Sequence, residues 1–181
     1  ARDLGFGIEE IRQLLGLWQD RSRASAEVKA LALARAAELK AKSRQLDSMR
    51  RSLERLAADP RCVAIGETGL DWYWLGKRED VATPAQQHAA FEWHIDLAKR
   101  TGLALQIHDR DAHDDVLRIL DEEGAPEKTV LHCFSGDMAM ARECVERGYH
   151  LSFSGTVTFK SAHGLRDALD PRIARRVGAL R

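Results

Sequence analysis

Apolar positions follow two different patterns along the chain. Up to about residue 58 they recur at helical spacing. Ile8, Ile11, Leu14, Leu15 and Trp18 mark a short first helix, with Gly5 and Gly7 as a loop before it. A second helix starts near Ser22 or Ser25, with Ser25 as N-cap ahead of Glu27, and runs without Gly or Pro to about Ala58. Ala32, Leu39, Leu46 and Leu53 recur every seven residues, with Val28, Met49 and Leu56 as a companion seam that Arg35 and Lys42 interrupt. Such a helix, about 50 Å long at ~1.5 Å per residue, cannot bury its stripe alone. It calls for a second copy, for the rest of the chain, or for a place in a bundle.

Beyond Asp59-Pro60 the pattern changes. Val63-Ala64-Ile65, Leu103 to Ile107, Thr129-Val130-Leu131 and His150 to Phe153 are short apolar runs. Amphipathic segments separate them, over residues 84–100, 112–123 and 137–147. Strand alternating with helix at this pitch predicts βαβ units and a parallel sheet covered on both faces, hence an α/β fold. Gly102, Gly124 and Gly148 stand where these helices end. Three glycines and no proline precede Asp59, against ten glycines and all four prolines after it, which places a boundary at Ala58–Arg61.

The 181 residues are 44% hydrophobic and 31% charged, with 28 basic and 28 acidic side chains. Zero net charge excludes a basic nucleic-acid clamp over the whole chain and an acidic disordered chain. The balance is uneven: residues 1–58 carry 12 basic and 8 acidic residues, residues 59–181 carry 16 and 20. No apolar run approaches the roughly 20 residues of a membrane span, and the first residues show no signal-peptide pattern. Cys62, Cys133 and Cys144 are odd in number and lack a CxxC pair, which argues against a disulfide framework or structural zinc site. The expectation is therefore a cytoplasmic protein without a membrane partner. Cys133 reads as a small buried apolar residue, with a reactive thiol as the alternative.

Chemistry-bearing residues follow the strands. Gly66-Glu67-Thr68-Gly69-Leu70-Asp71 comes after the first, His108-Asp109-Arg110-Asp111 after the second, and His132-Cys133-Phe134-Ser135-Gly136 after the third. Parallel α/β folds place their chemistry at strand C-terminal ends. A carboxylate and two imidazoles from three such ends suit a divalent metal, whereas the plain reading gives them surface or capping roles.

Two stretches resemble known families. GFGIEEIRQLLGLWQDRSRASAEVKALALARAAELKAKSRQLDSMRRSLERL is similar to the connector and long dimerisation helix of MerR-type, copper-responsive regulators. That resemblance covers residues 1–58 and implies a homodimer through helix 25–57. The DNA-binding head and the paired-cysteine metal loop of that family are not matched. AIGETGLDWYW, LQIHDRDAHDD, VLHCFSGDMAMA and LSFSGTVTFKSA resemble TatD-type metal-dependent hydrolases, amidohydrolase-like TIM barrels associated with deoxyribonuclease activity. This second resemblance runs over about residues 60–170 and leaves 171–181 as a basic tail.

The TatD resemblance implies metal ligation by Glu67, His108 and His132. It also implies that Arg110, with the backbone around Ser135-Gly136, faces a phosphate. The metal would be a divalent ion such as Mg, Mn or Zn, and DNA the substrate. The family's opening HxH and the closing Asp of its ETD motif are not matched, and about four of eight barrel strands are present. The expectation is a partial TIM-barrel-like α/β unit forming a truncated, impaired hydrolase. Its open edges would be covered by helix 25–57 or by a second copy. A chain composed from two sources, and a MerR-like dimerisation module carrying the α/β part as passenger, are the alternatives. Asp71, Asp109 and Asp111 are candidates to replace the missing base, and Trp72, Tyr73 and Trp74 to stack on bases of single-stranded DNA.

Overall fold

The computed structural model describes residue 12 and residues 25–169. The predicted first helix around Ile8 to Trp18, residue 12 apart, and the basic tail therefore lie outside the described residues. The chain divides into two compact units between Ser52 and Leu53. The division falls within helix α1 (Ser25–Ala57), close to the predicted span. Its Ala, Leu, Glu, Lys and Arg content favours the helix residue by residue. In the first unit Leu33, Leu39, Leu46 and Met49 are exposed.

In the second unit, α1 ends at a turn built on Asp59. Its carboxylate accepts from the Arg61 N–H at 2.9 Å and takes both arms of the Arg61 guanidinium. The order is then β1 (Ala64–Asp71), α2 (Pro84–Thr101), β2 (Ala104–Arg110), α3 (His113–Glu123), β3 (Thr129–Leu131), α4 (Met138–Glu146) and β4 (His150–Leu151). A 3-10 turn (Gly155–Thr158) and α5 (His163–Asp167) follow. The strands form one sheet in the order β1-β2-β3-β4, every pair parallel, with a helix between successive strands.

Three helices match their predicted spans to within a residue. Thr83 caps α2, accepting from the Gln86 N–H while the Gln86 side chain accepts from the Thr83 N–H, with Pro84 in the first turn. Gly102, Gly124 and Gly148 all have positive φ, as their places at helix ends anticipated. Phe91, Ile95, Leu97 and Ala98 of α2 and Val116, Leu117, Ile119 and Leu120 of α3 are buried. They close over Ile65, Leu70, Leu105, Ile107, Leu131 and Leu151 of the strands in one core.

The strands depart from expectation. Gly66–Asp71 and His108–Arg110, expected to follow the strands, belong to β1 and β2. The ladder persists because the register shifts between Ile65 and Thr68, after which Thr68 pairs with Ile107 and Asp71 with Arg110. Gly66 (φ 147) and Gly69 (φ 143) make that passage feasible, since a Cβ on Gly66 would lie 2.6 Å from the Gln106 carbonyl oxygen. β4 is shorter than predicted, ending at Leu151; Ser152 still donates its N–H to the Leu131 carbonyl.

Candidate active site

Glu67 lies in the shifted part of β1, between buried Ile65 and Thr68, and its side chain turns away from the core. His108 sits three-quarters of the way along β2. His132 immediately follows β3, and its N–H extends the ladder to the Ile107 carbonyl at 2.8 Å. The three side chains meet. His132 Nδ1 is 3.0 Å from Glu67 Oε1, and His108 Nδ1 lies 3.5 Å from the same oxygen. The other ring nitrogen of His108, Nε2, is 3.1 Å from Asp71 Oδ2. All three are partly exposed, with 41%, 39% and 32% of the side-chain surface open for Glu67, His108 and His132. Solvent or a ligand can therefore reach them. An open cleft of about 380 Å³, lined in part by Glu67, Gly69, Asp71, Gln87 and His108, adjoins the cluster.

A carboxylate shared by two imidazoles suits a borderline divalent ion in donor chemistry. Adjacent donors bound at ~2.1 Å to one ion lie about 3.0–3.4 Å apart; the Glu67–His132 pair, at 3.0 Å, falls in that range, and the Glu67–His108 pair, at 3.5 Å, lies just outside it. The cage is not closed. Among the described residues no group of three or more His, Cys, Asp or Glu side chains stands arranged to hold an ion. The histidines instead hydrogen-bond to carboxylates.

The remaining carboxylates sort by strand face. Asp71 is the one that joins the cluster. Asp109 points the opposite way, accepting from His113 Nδ1 at 2.7 Å, and its other oxygen is buried without a partner. That hydrogen bond, with the nearby charges of Asp111 and Asp114, raises the His113 pKa against the effect of burial. Asp111 adopts φ 57 at the turn into α3 and has no place in the cluster's contacts. The Asp109–His113 pair went unseen in the sequence: Asp109 lies in β2 and His113 opens α3, so no helical spacing relates them.

Arg110 ends β2 exposed, its guanidinium carbon 3.7 Å from the centre of the Tyr73 ring. Ser135 donates its hydroxyl to the Asp109 carbonyl at 3.0 Å, and Gly136 packs so closely that a Cβ there would lie 2.8 Å from the Phe134 ring. The Ser135-Gly136 backbone is thereby pinned beside β2. Cys133, two residues past β3 with φ 50, is only half-buried, and its Sγ lies 3.6 Å from His132 Nε2. Cys144 is the buried thiol, its pKa pushed up to about 12 chiefly by desolvation. A larger groove of about 760 Å³ runs beside α3, α4 and α5; it contains none of Glu67, His108 and His132, so size alone does not locate the chemistry.

Comparison with known proteins gives this geometry a family. Residues 25–176 match the family described as TatD related DNase. Over 123 residues the chain is 58% identical to the Mycobacterium tuberculosis protein named uncharacterized metal-dependent hydrolase TatD, covering 68% of this chain and 47% of that one. It is 42% identical over 107 residues to a protein of Cronobacter turicensis named 3'-5' ssDNA/RNA exonuclease TatD, covering 58% and 38%. Among solved structures it resembles YjjV, a TatD homologue from Escherichia coli K12, with TM-score 0.57 and 32% identity over 68% of this chain and 45% of that one.

The chain spans about half the length, or less, of these curated relatives. The family match begins at residue 25 rather than near residue 60, so it takes in α1. No comparison supports the MerR-type resemblance or a composite chain. With a four-stranded parallel βα sheet, the Glu67–His108–His132 cluster it carries and a family match over residues 25–176, this chain belongs to the TatD-related DNase family.

Proposed function

We propose that this chain provides metal-binding and substrate-contacting residues for hydrolysis of phosphodiester bonds in single-stranded nucleic acid. The observation that supports the reading most directly is the meeting of Glu67 in β1, His108 in β2 and His132 just past β3, at 3.0 and 3.5 Å. A relative named as a 3'-5' ssDNA/RNA exonuclease points to the substrate class. In this reading Glu67, His108 and His132 are ligands of a divalent ion, Mg, Mn or Zn. Such an ion, when bound, acidifies water and stabilises charge on phosphoryl oxygens.

The chain's own residues do the rest. Asp71 holds the far nitrogen of His108 and so sets the ring's orientation, as a carboxylate behind a ligating histidine does. Arg110, whose guanidinium no carboxylate neutralises among the described residues, faces the phosphate. Among the described residues Asp71 is the carboxylate outside the proposed ligand set that contacts it, through His108.

The test is metal content together with metal-dependent release of nucleotides from single-stranded DNA. Glu67→Ala and His132→Ala are each expected to lose the metal and to slow hydrolysis by about 10²-fold or more. Full activity in both variants would remove the proposal.

Homodimer formation through α1 is a second reading, favoured by the exposure of Leu39 (45%), Leu46 (57%) and Leu53 (41%). A monomer in light scattering at micromolar concentration ends it. No helix among the described residues is long and apolar enough to cross a membrane. A cytoplasmic setting, in keeping with three free cysteines, belongs to the same proposal and is checked by cell fractionation.

A further inference from the structure

The three aromatic residues after β1 have different surroundings, and the differences bear on function. Trp72 is anchored: its indole N–H donates to Asp115 Oδ2 at 3.0 Å, its ring lies against His88, and it packs on the core. Tyr73 is occupied, with the Lys77 ammonium 3.4 Å and the Arg110 guanidinium 3.7 Å from its ring centre. Trp74 meets Tyr73 edge-on at 4.7 Å and is 36% exposed. Its nearest cations, Arg78 and Arg110, stand off at 5.6 and 5.7 Å, near the outer limit of ~6 Å for attraction to a ring face. Of the three, Trp74 has the ring with room for a flat partner.

We infer that Trp74, backed by Tyr73 and flanked by Lys77 and Arg110, is a stacking subsite for a base of single-stranded nucleic acid beside the Glu67–His108–His132 cluster. The inference rests on the hydrolase reading and adds to it the way a nucleotide is held. Three observations carry it.

The first is attachment to the site. Asp71 uses one oxygen for His108 Nε2 and the other for the Trp74 N–H, at 3.4 Å, so one carboxylate joins the stacking loop to the cluster. The second is rigidity. Trp72 donates its N–H to the Arg110 carbonyl, Leu75 to that of Trp72 and Lys77 to that of Trp74, which fixes the loop before any ligand arrives. Such preformed order lowers the cost of binding.

The third is charge. Arg78 is committed to Asp80 through two hydrogen bonds, but Lys77 and Arg110 have no carboxylate partner and no side-chain hydrogen bond among the described residues. Their N–H groups remain available to phosphate, while the tyrosine ring holds their positions. A ligand that offers a flat π-face and an anion a few ångströms apart is a nucleotide with its base unstacked. In a duplex the bases stack on each other and that face is not offered, so a single strand is the substrate form selected.

Binding by the full chain is measured with a chelator present, so that no strand is cut, using fluorescein-labelled oligodeoxythymidine and an abasic oligonucleotide of equal length. The expected preference for the strand with bases is about 10-fold, and the duplex form binds more weakly than the single strand. Trp74→Ala and Trp74→Leu, the second keeping apolar bulk without the π-face, abolish the preference, whereas Trp74→Phe retains most of it. Lys77→Ala weakens both oligonucleotides alike and lowers the log–log salt slope by about 1. A preference unchanged in Trp74→Ala and Trp74→Leu, or equal wild-type affinity for both oligonucleotides, overturns the inference. Failure of the hydrolase reading appears elsewhere, as full cleavage activity in both Glu67→Ala and His132→Ala, and leaves the binding preference standing.

Discussion

Gly69→Ala is expected to be among the most damaging single substitutions in the sheet, through backbone crowding rather than lost contacts. Gly69 lies in β1 opposite His108 with φ 143. That conformation costs a residue with a Cβ about 1–3 kcal/mol. The added methyl would also collide with the His108 carbonyl oxygen and lie 3.0 and 3.1 Å from that residue's C and N atoms. These are backbone atoms of a central strand, so relief requires β1 and β2 to part and weakens two or so ladder hydrogen bonds at ~1 kcal/mol each. The total is about 3–5 kcal/mol, a large share of the 5–15 kcal/mol that ordinarily holds a domain folded. Gly76→Ala is the control: φ is 73 there, yet nothing lies within 4 Å of the added atom, so only about 1 kcal/mol is lost. Urea unfolding followed by circular dichroism, with equal slopes for all three proteins, gives the comparison directly. If Gly69→Ala falls within ~0.5 kcal/mol of Gly76→Ala, close approach of the β1 and β2 backbones is refuted. The same measurement bears on the site, because the peptide that would be displaced carries His108.

Two further expectations concern titration and capping. The Asp109 hydrogen bond raises the His113 pKa above its ordinary ~6.5, so His113 binds its proton more tightly folded than unfolded. The resulting stabilisation is complete below the unfolded pKa and disappears as pH rises through the folded one. The stability gap between wild type and His113→Ala should therefore be larger at pH 5.5 than at pH 9, and a flat gap in urea titrations contradicts this. Thr83→Ala removes the hydroxyl that accepts from the Gln86 N–H at 3.3 Å and leaves half a capping box. It should cost about 1 kcal/mol, largely recovered in Thr83→Ser, and equal midpoints for Thr83→Ala and wild type would show the cap to be idle.

What the sequence determined by itself was local order and the placing of chemistry along the chain. The alternation of short apolar runs with amphipathic segments yields the four strands and the helices between them. Periodicity reports which side of an element is buried, and helix ends carry their own glycines. Glu67, His108 and His132 could be singled out because each follows an apolar run. The tertiary structure decided what each side chain faces. Residues Gly66–Asp71 and His108–Arg110, being polar or glycine-rich, fall outside the apolar runs, yet they continue the ladder once two strands lie side by side.

The register shift between Ile65 and Thr68 turns Glu67 toward both imidazoles and brings Asp71 to His108. The alternation of faces along β2 sends Asp109 away to His113. Three adjacent aromatics that read alike became an anchor, an occupied ring and an exposed plane, because a parallel neighbour delivers Arg110 to one ring and a helix delivers Asp115 to another. Such pairings depend on register and on contacts between residues 37 to 65 positions apart. Hydrophobic period is a property of neighbours in the chain and carries no record of those partners.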